Sequence, residues 1–364
     1  MIQISPDLLP SLLLYAALSS ACCLLCIGVA GRYSMLAGRV DDLTAIQAAH
    51  ERLVPRIGGV AIFLTMSLAT LIVAERLYDD YVRFLAATSI IFLAGLLEDL
   101  GIRISPRVRL LAAVAASLST ISLLGVWLPR ADVPLLDAAL TWAVVGIPVT
   151  VLLTSGVSHA FNMIDGVNGL AGLCAVTTSV ALAAIAHRAG AGSIVDLCLV
   201  VGAGVAGFLI WNFPHGKIFL GDAGAYTLGF VLSWFAIAIL LSNGAVTPWS
   251  MLLAFLWPVA DMLHAIARRS RRGTAAMAAD RMHFHQLVMR LLRRHLLPGH
   301  LRRHANSLTT VVISPFAIAP ALAGVALWDR PIAALLVSIA LIACFFLTYL
   351  GIIKNYKRIA RLSK

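Results

Sequence analysis

Carboxylates, amides and histidines gather in four short segments of this chain, and each segment is of a type that handles phosphate or a hard cation. Asn162-Met163-Ile164-Asp165-Gly166-Val167-Asn168-Gly169 sets amides and a carboxylate beside glycines, so that backbone can approach a ligand closely. Phe219-Leu220-Gly221-Asp222-Ala223-Gly224 places an acid where an apolar stretch begins. Mg²⁺ favours one or two carboxylates and otherwise keeps water and phosphate oxygens, and a helix N-terminus favours anions. Glu98-Asp99 closes an apolar run; neighbours on a helix point about 100° apart, so one of the two faces a given site. In Asp280-Arg281-Met282-His283-Phe284-His285 an extended backbone would project both histidines to one side. No cysteine or third histidine completes a zinc set there, and contact with phosphate, alongside Arg281, fits better. Each segment also has a structural alternative as a helix cap or solvated helix end.

The elements that must position these residues are membrane helices. The chain has 364 residues, 60% hydrophobic and 12% charged, with a mean hydropathy of +0.93. Soluble domains carry about 25% charged residues, so a soluble globular enzyme is excluded, and so is a disordered chain. Eleven stretches approach the roughly 20 apolar residues a bilayer span needs: 8–30, 57–75, 83–98, 109–128, 136–156, 169–187, 194–212, 223–241, 248–267, 309–327 and 331–353. The third is the shortest. An all-α polytopic membrane protein follows, one integral-membrane catalytic domain over 1–364. With the N-terminus outside and the C-terminus cytoplasmic, 23 of the 28 Lys and Arg fall on the inner side, as the positive-inside rule requires. The net charge of +11 is thus a topology signal and not a nucleic-acid footprint. The six cysteines sit in apolar stretches and read as small hydrophobes. The N-terminus lacks the basic region of a cleavable signal.

In this topology all four polar segments meet at the cytoplasmic face, within the loops 31–56, 99–109, 157–168, 213–222 and 268–308, which are expected to form the site. Asp261 is expected to end the ninth span. The span centres carry almost no ionisable residues, which argues against a secondary transporter of an anionic solute, whose sites lie near the midplane. A purely structural protein would need only caps. Phe284, Leu287, Val288, Leu291 and Leu292 recur at helical spacing, fitting either an interfacial helix or a cap helix packed on the bundle.

From His50 to His285 the residues resemble the polyprenyl-phosphate N-acetylhexosamine-1-phosphate transferase family: Pro55-Arg56-Ile57-Gly58-Gly59, the acidic pair Glu98-Asp99, the Asn162-x-x-Asp165-Gly166 loop, Trp211-Asn212-Phe213-Pro214, Phe219-Leu220-Gly221-Asp222 and the basic His-x-His loop. The resemblance implies transfer from a UDP-N-acetylhexosamine to undecaprenyl phosphate with release of UMP, at the bacterial inner membrane, with Mg²⁺ (or Mn²⁺) and a homodimer. It implies that Asp222, with Asp165, holds the metal, and that Asp99, Asp165 and Glu98 are the acids of the reaction centre. It further implies Asn162 and Asn212 beside the diphosphate, Phe219 against uracil and Asn168 in the nucleoside pocket. His283, His285 and Arg281 would contact the donor, Arg107 and Arg109 the lipid phosphate, and His50 the substrate. Three positions depart from the family pattern: Glu98 for Asp, Asn168 for Asp, and Gln286 for His. The chain lacks the triple histidine of the phospho-muramoyl-pentapeptide branch, which favours the UDP-N-acetylglucosamine branch and a role in O-antigen or other envelope polysaccharide synthesis.

Overall fold

The computed structural model describes residues 8–33, 54–73, 75–271, 273 and 282–362, all helix and connecting turn with no strand among them. The helices are α1 (Leu8–Ala30), α2 (Gly59–Leu68), α3 (Glu75–Asp99), α4 (Pro106–Leu124), α5 (Pro134–Leu140), α6 (Ala143–Ile164), α7 (Leu170–Arg188), α8 (Gly192–Asn212), α9 (Gly221–Ser242), α10 (Pro248–Arg271), α11 (Phe284–Leu291), α12 (Ala305–Ala326) and α13 (Pro331–Leu362). His50 and Arg281 lie outside the described residues, as do most of the expected loop 31–56 and part of 268–308.

Among the described residues, ten helices are long and apolar enough to cross a membrane. The apolar segment expected as the second span falls short of that length: Gly59–Leu71 is α2 tightened at its end into a 3₁₀ turn over Ala69–Leu71. Its start is held inward, because the N–H groups of Gly58 and Gly59 donate to the carbonyls of Phe219 and Leu220 at 2.9 Å. The third span, expected to be the shortest, is a 25-residue helix, since the polar turn from Glu75 to Arg83 is helical too. The fifth, expected at 136–156, breaks at extended Trp142 into α5 and α6, and α6 runs on to Ile164. Asn162 is therefore helical and not in a loop. Similarly, α10 continues ten residues beyond Asp261, which sinks that carboxylate about 15 Å below the helix end. The fourth span, expected at 109–128, lies three to four residues earlier: Ser105 caps α4, Pro106 follows, and Gly125 closes it at φ 68°.

Helix α9 is the axis of the bundle, with 89% of its apolar window buried, against 17% for α1 and α13, whose exposed leucines face lipid. It packs on α6, α3, α2 and α7. Close approach is allowed by glycine: a Cβ on Gly59 would stand 2.3 Å from the Gly224 nitrogen, and one on Gly95 2.5 Å from the Ala223 nitrogen. Gly59→Ala is expected to cost more than the roughly 1–3 kcal/mol of ordinary overpacking, because the obstacle is backbone. Thermal unfolding in detergent checks this against Gly28→Ala, where a Cβ meets nothing within 4 Å; equal midpoints would contradict it. The six cysteines are free, as expected. Phe284, Leu287, Val288 and Leu292 are buried against the bundle, so α11 is a packed cap helix.

Candidate active site

The first turn of α9 is the foundation. Gly221 adopts φ +69°, and a Cβ there would lie 1.9 Å from the Arg56 carbonyl oxygen, so only glycine lets the helix start against this stretch of backbone. Asp99, at the end of α3, caps that start: its two carboxylate oxygens accept the backbone N–H groups of Asp222 and Ala223 at 2.9 and 2.8 Å. Asp222 then projects from α9 into a cavity of about 300 Å³. Arg56 donates to its Oδ1 at 3.2 Å, Asn162 Nδ2 donates to the same oxygen at 3.0 Å, and Arg109 is bonded to Oδ2.

The opposite wall comes from α10 and α11. Buried Asp261 accepts the Phe284 backbone N–H on Oδ1 at 3.0 Å and meets His283 Nδ1 on Oδ2 at 2.8 Å. Arg269, two turns further along α10, reaches His283 Nε2 at 3.3 Å. A guanidinium only donates, so His283 accepts on Nε2 and turns a protonated Nδ1 toward Asp261. The His285 ring lies 5.6 Å away, stacked on that of His283. His285 Nδ1 and Gln286 Oε1 are enclosed without hydrogen-bond partners, and both residues line the cavity. His159 lines it from α6; its Nδ1 is committed to the Ser155 carbonyl at 2.9 Å, leaving the Nε2 edge available.

Of the residues expected at the site, Asp165, Asp222, Asn162, Arg109, His283 and His285 share this cavity. Six others are not part of its lining. Asp99 stands behind it as the cap of α9. Glu98 accepts the Ile104 N–H and closes the turn between α3 and α4. Asn212, expected beside a diphosphate, has its amide bonded at both ends, accepting from the Gly169 N–H at 2.6 Å and donating to the Ile218 carbonyl at 2.7 Å. Asn168 donates to the Pro214 carbonyl at 2.9 Å and packs on α12 through Ser307. Phe219 is buried, with its backbone tied to Pro55 and Gly58. Arg107 is exposed on α4. Arg56, Asp261 and Gln286, noted in the sequence without a role at the site, complete the arrangement with His159 and Arg269, which were not singled out; helical spacing from Asp261 through Ala265 to Arg269 is the signal that points to the last cation.

Burial pushes the Asp165 carboxyl up to about 7, with Asp222 adding to the rise, while Arg56 and the Gly221 backbone N–H oppose it. Burial likewise holds His285 down at about 4, against the pull of Asp261. An unfolded histidine takes up its proton near 6.5, so this residue's contribution to stability is intact above that pH. It falls by about 1.4 kcal/mol for each pH unit between 6.5 and 4. The thermal midpoint is expected to drop from pH 7 to pH 5, with a shallower slope in His285→Gln; identical slopes would contradict it.

Comparison with known proteins gives a consistent picture. The family profile described as Glycosyl transferase family 4 matches residues 81–240. The chain is 31% identical over 264 residues to the probable undecaprenyl-phosphate N-acetylglucosaminyl 1-phosphate transferase of Bacillus subtilis (strain 168), covering 71% of this chain and 72% of that protein. It is 26% identical to the undecaprenyl-phosphate alpha-N-acetylglucosaminyl 1-phosphate transferase of Yersinia pestis, over 92% of this chain and 90% of that one. The protein of the same name from Escherichia coli (strain K12) is 26% identical, with 68% and 69% covered.

Proposed function

The chain belongs to the polyprenyl-phosphate N-acetylhexosamine-1-phosphate transferase family, and from that premise we propose the following reaction. An N-acetylhexosamine-1-phosphate passes from a UDP-sugar to undecaprenyl phosphate, at the cytoplasmic face of a bacterial inner membrane, with the N-terminus outside. One observation carries the reading: carboxylates, arginines and histidines from separate parts of the fold converge on one polar cavity at the ends of apolar helices. Such a mixture suits anions that must be brought together beside a cation. A lipid monophosphate carries about 1.5–2 negative charges at neutral pH, and the donor adds a diphosphate.

A lipid phosphate oxygen attacks the phosphorus that bears the sugar. A new P–O bond forms, the bond to the UMP phosphate breaks, the sugar's own C1–O bond is kept, and the electron pair leaves with UMP. Arg56 and Arg109 line the side where the attacking and transferred phosphates meet. Arg269, His283 and His285 line the side suited to the donor, and Asn162 orients Asp222. The guanidinium groups fixed in advance lower the repulsion and stabilise charge developing on the leaving phosphate, while the neutral histidines offer hydrogen bonds.

The donor chemistry fits Mg²⁺, with Mn²⁺ as a substitute. Asp222 and Asp165 both border the cavity, and no group of three His, Cys, Asp or Glu among the described residues forms a protein cage, so water and phosphate would complete the shell. When bound, the ion supplies charge neutralisation of the diphosphate. The product would begin an envelope polysaccharide such as O-antigen, and the enzyme would act as a homodimer. Purified protein with undecaprenyl phosphate, Mg²⁺ and a panel of UDP-N-acetylhexosamines is expected to release UMP only when lipid and metal are both present. Lipid-independent release, or none from any donor by folded protein, would overturn the reading.

A further inference from the structure

We propose that Tyr349 and Arg268 form a brace through which the last helix positions the histidine segment of the site; it rests on the reading above. Neither residue lines the cavity. Tyr349, on α13, is 2% exposed. Its hydroxyl accepts from Arg268 Nη1 at 2.9 Å and donates to the Met282 carbonyl at 2.9 Å. The Arg268 guanidinium also stands 5.8 Å from the centre of the Tyr349 ring.

Met282 immediately precedes His283, and Arg268 immediately precedes Arg269, which bonds His283 Nε2. One phenol oxygen therefore fixes the chain on both sides of the His283 contacts. Between the two histidines, Phe284 points the other way and is 1% exposed. Its ring is packed by Trp257 at 5.0 Å, Phe345 at 5.2 Å, Phe316 at 5.5 Å and Tyr349 at 6.4 Å. The His283-Phe284-His285 segment is thus clamped from two directions. Asp261 holds its ring and backbone from α10, and Tyr349 holds its entry from α13. A helix that never reaches the cavity is thereby coupled to the wall that faces the donor.

Tyr349→Phe keeps the ring and removes only the oxygen. In the full-length protein it is expected to raise KM for the UDP-sugar roughly 5–10-fold, the scale of one lost hydrogen bond. KM for the polyprenyl phosphate should not change, and the thermal midpoint should fall by only a few degrees, because the Arg268 guanidinium and the Met282 carbonyl each lose a partner. Arg268→Met should behave the same way, and Arg268→Lys, which keeps a donor but loses the planar guanidinium beside the ring, should fall between Arg268→Met and the parent. Leu347→Ala, on the lipid-facing side of the same helix, is the control. Hydrogen–deuterium exchange of the backbone from 283 to 290 should quicken in Tyr349→Phe, a readout that needs no substrate. Unchanged exchange overturns the brace, and unchanged KM with faster exchange overturns its role in positioning. A parent protein that releases no UMP sinks the functional reading instead, while the exchange measurement still decides the brace.

Discussion

Asp222→Asn is expected to lower UMP release by at least about 10²–10³-fold, the scale for removing a single preorganised electrostatic contact from an active site. The side chain is 4% exposed and is bonded by Arg56, Arg109 and Asn162 together. An amide of the same shape keeps the packing but removes the charge that these two guanidinium groups converge on. It also removes the carboxylate best placed to hold a cation against a diphosphate. Asp222→Glu restores the charge but pushes it outward by about one carbon from a turn that Gly221 and Gly224 allow no room to shift. A displacement near 1 Å costs on the order of 10²-fold, so the order of activity should be parent, then Glu, then Asn. Steady-state assays over a range of Mg²⁺ concentrations separate the two roles. If added Mg²⁺ partly rescues the Glu variant, the carboxylate serves the ion. If the Asp222→Asn variant turns over within about tenfold of the parent, well short of the expected loss, the assignment of this cavity as the reaction centre fails.

The sequence spelled out the helical membrane architecture because a polytopic protein cannot hide its apolar runs, and positive-inside bias adds a second signal. Depth and tilt were not legible. The run 57–75 has the composition of a span, but backbone pairing with Phe219 and Leu220 starts its helix at Gly59. At the fifth stretch, hydropathy could not reveal that Trp142 interrupts the helix and carries the α6 end to Ile164. For the site, residue types identified Asp165, Asp222, Asn162 and His283 because polar groups beside apolar spans are costly and few. Side-chain direction was beyond reach. Asn212 and Asn168 belong to equally polar motifs, yet their amides are taken up by backbone groups of neighbouring turns. Arg56 and Asp261 were visible as residues, but their pairing with Asp222 and His283 spans 166 and 22 positions of chain, and only the folded bundle brings them together.

The acid at 99 gives the second large expectation. Asp99→Asn should abolish most activity and lower the thermal midpoint together, because the carboxylate acts on the helix that carries Asp222. Both oxygens are occupied by N–H groups of the first turn of α9, and the side chain is 1% exposed. An amide offers one acceptor and sets its NH₂ against the other N–H. A buried donor left without an acceptor costs about 1–3 kcal/mol, and the loss of negative charge at a helix N-terminus adds to it. At roughly 2–4 °C per kcal/mol the change is measurable in detergent. Activity should fall further than stability, since a small shift of that turn moves Asp222 away from Arg109 and Asn162. Circular dichroism melts run beside kinetic assays discriminate the two roles this residue could have. A variant that melts like the parent yet turns over nothing would place Asp99 in the chemistry itself, as the resemblance implied, and would require its carboxylate to leave the α9 cap and reach the cavity when substrate binds. A joint fall in both quantities, with KM for either substrate recovering little at low temperature, would keep it as the support on which the reacting carboxylate stands.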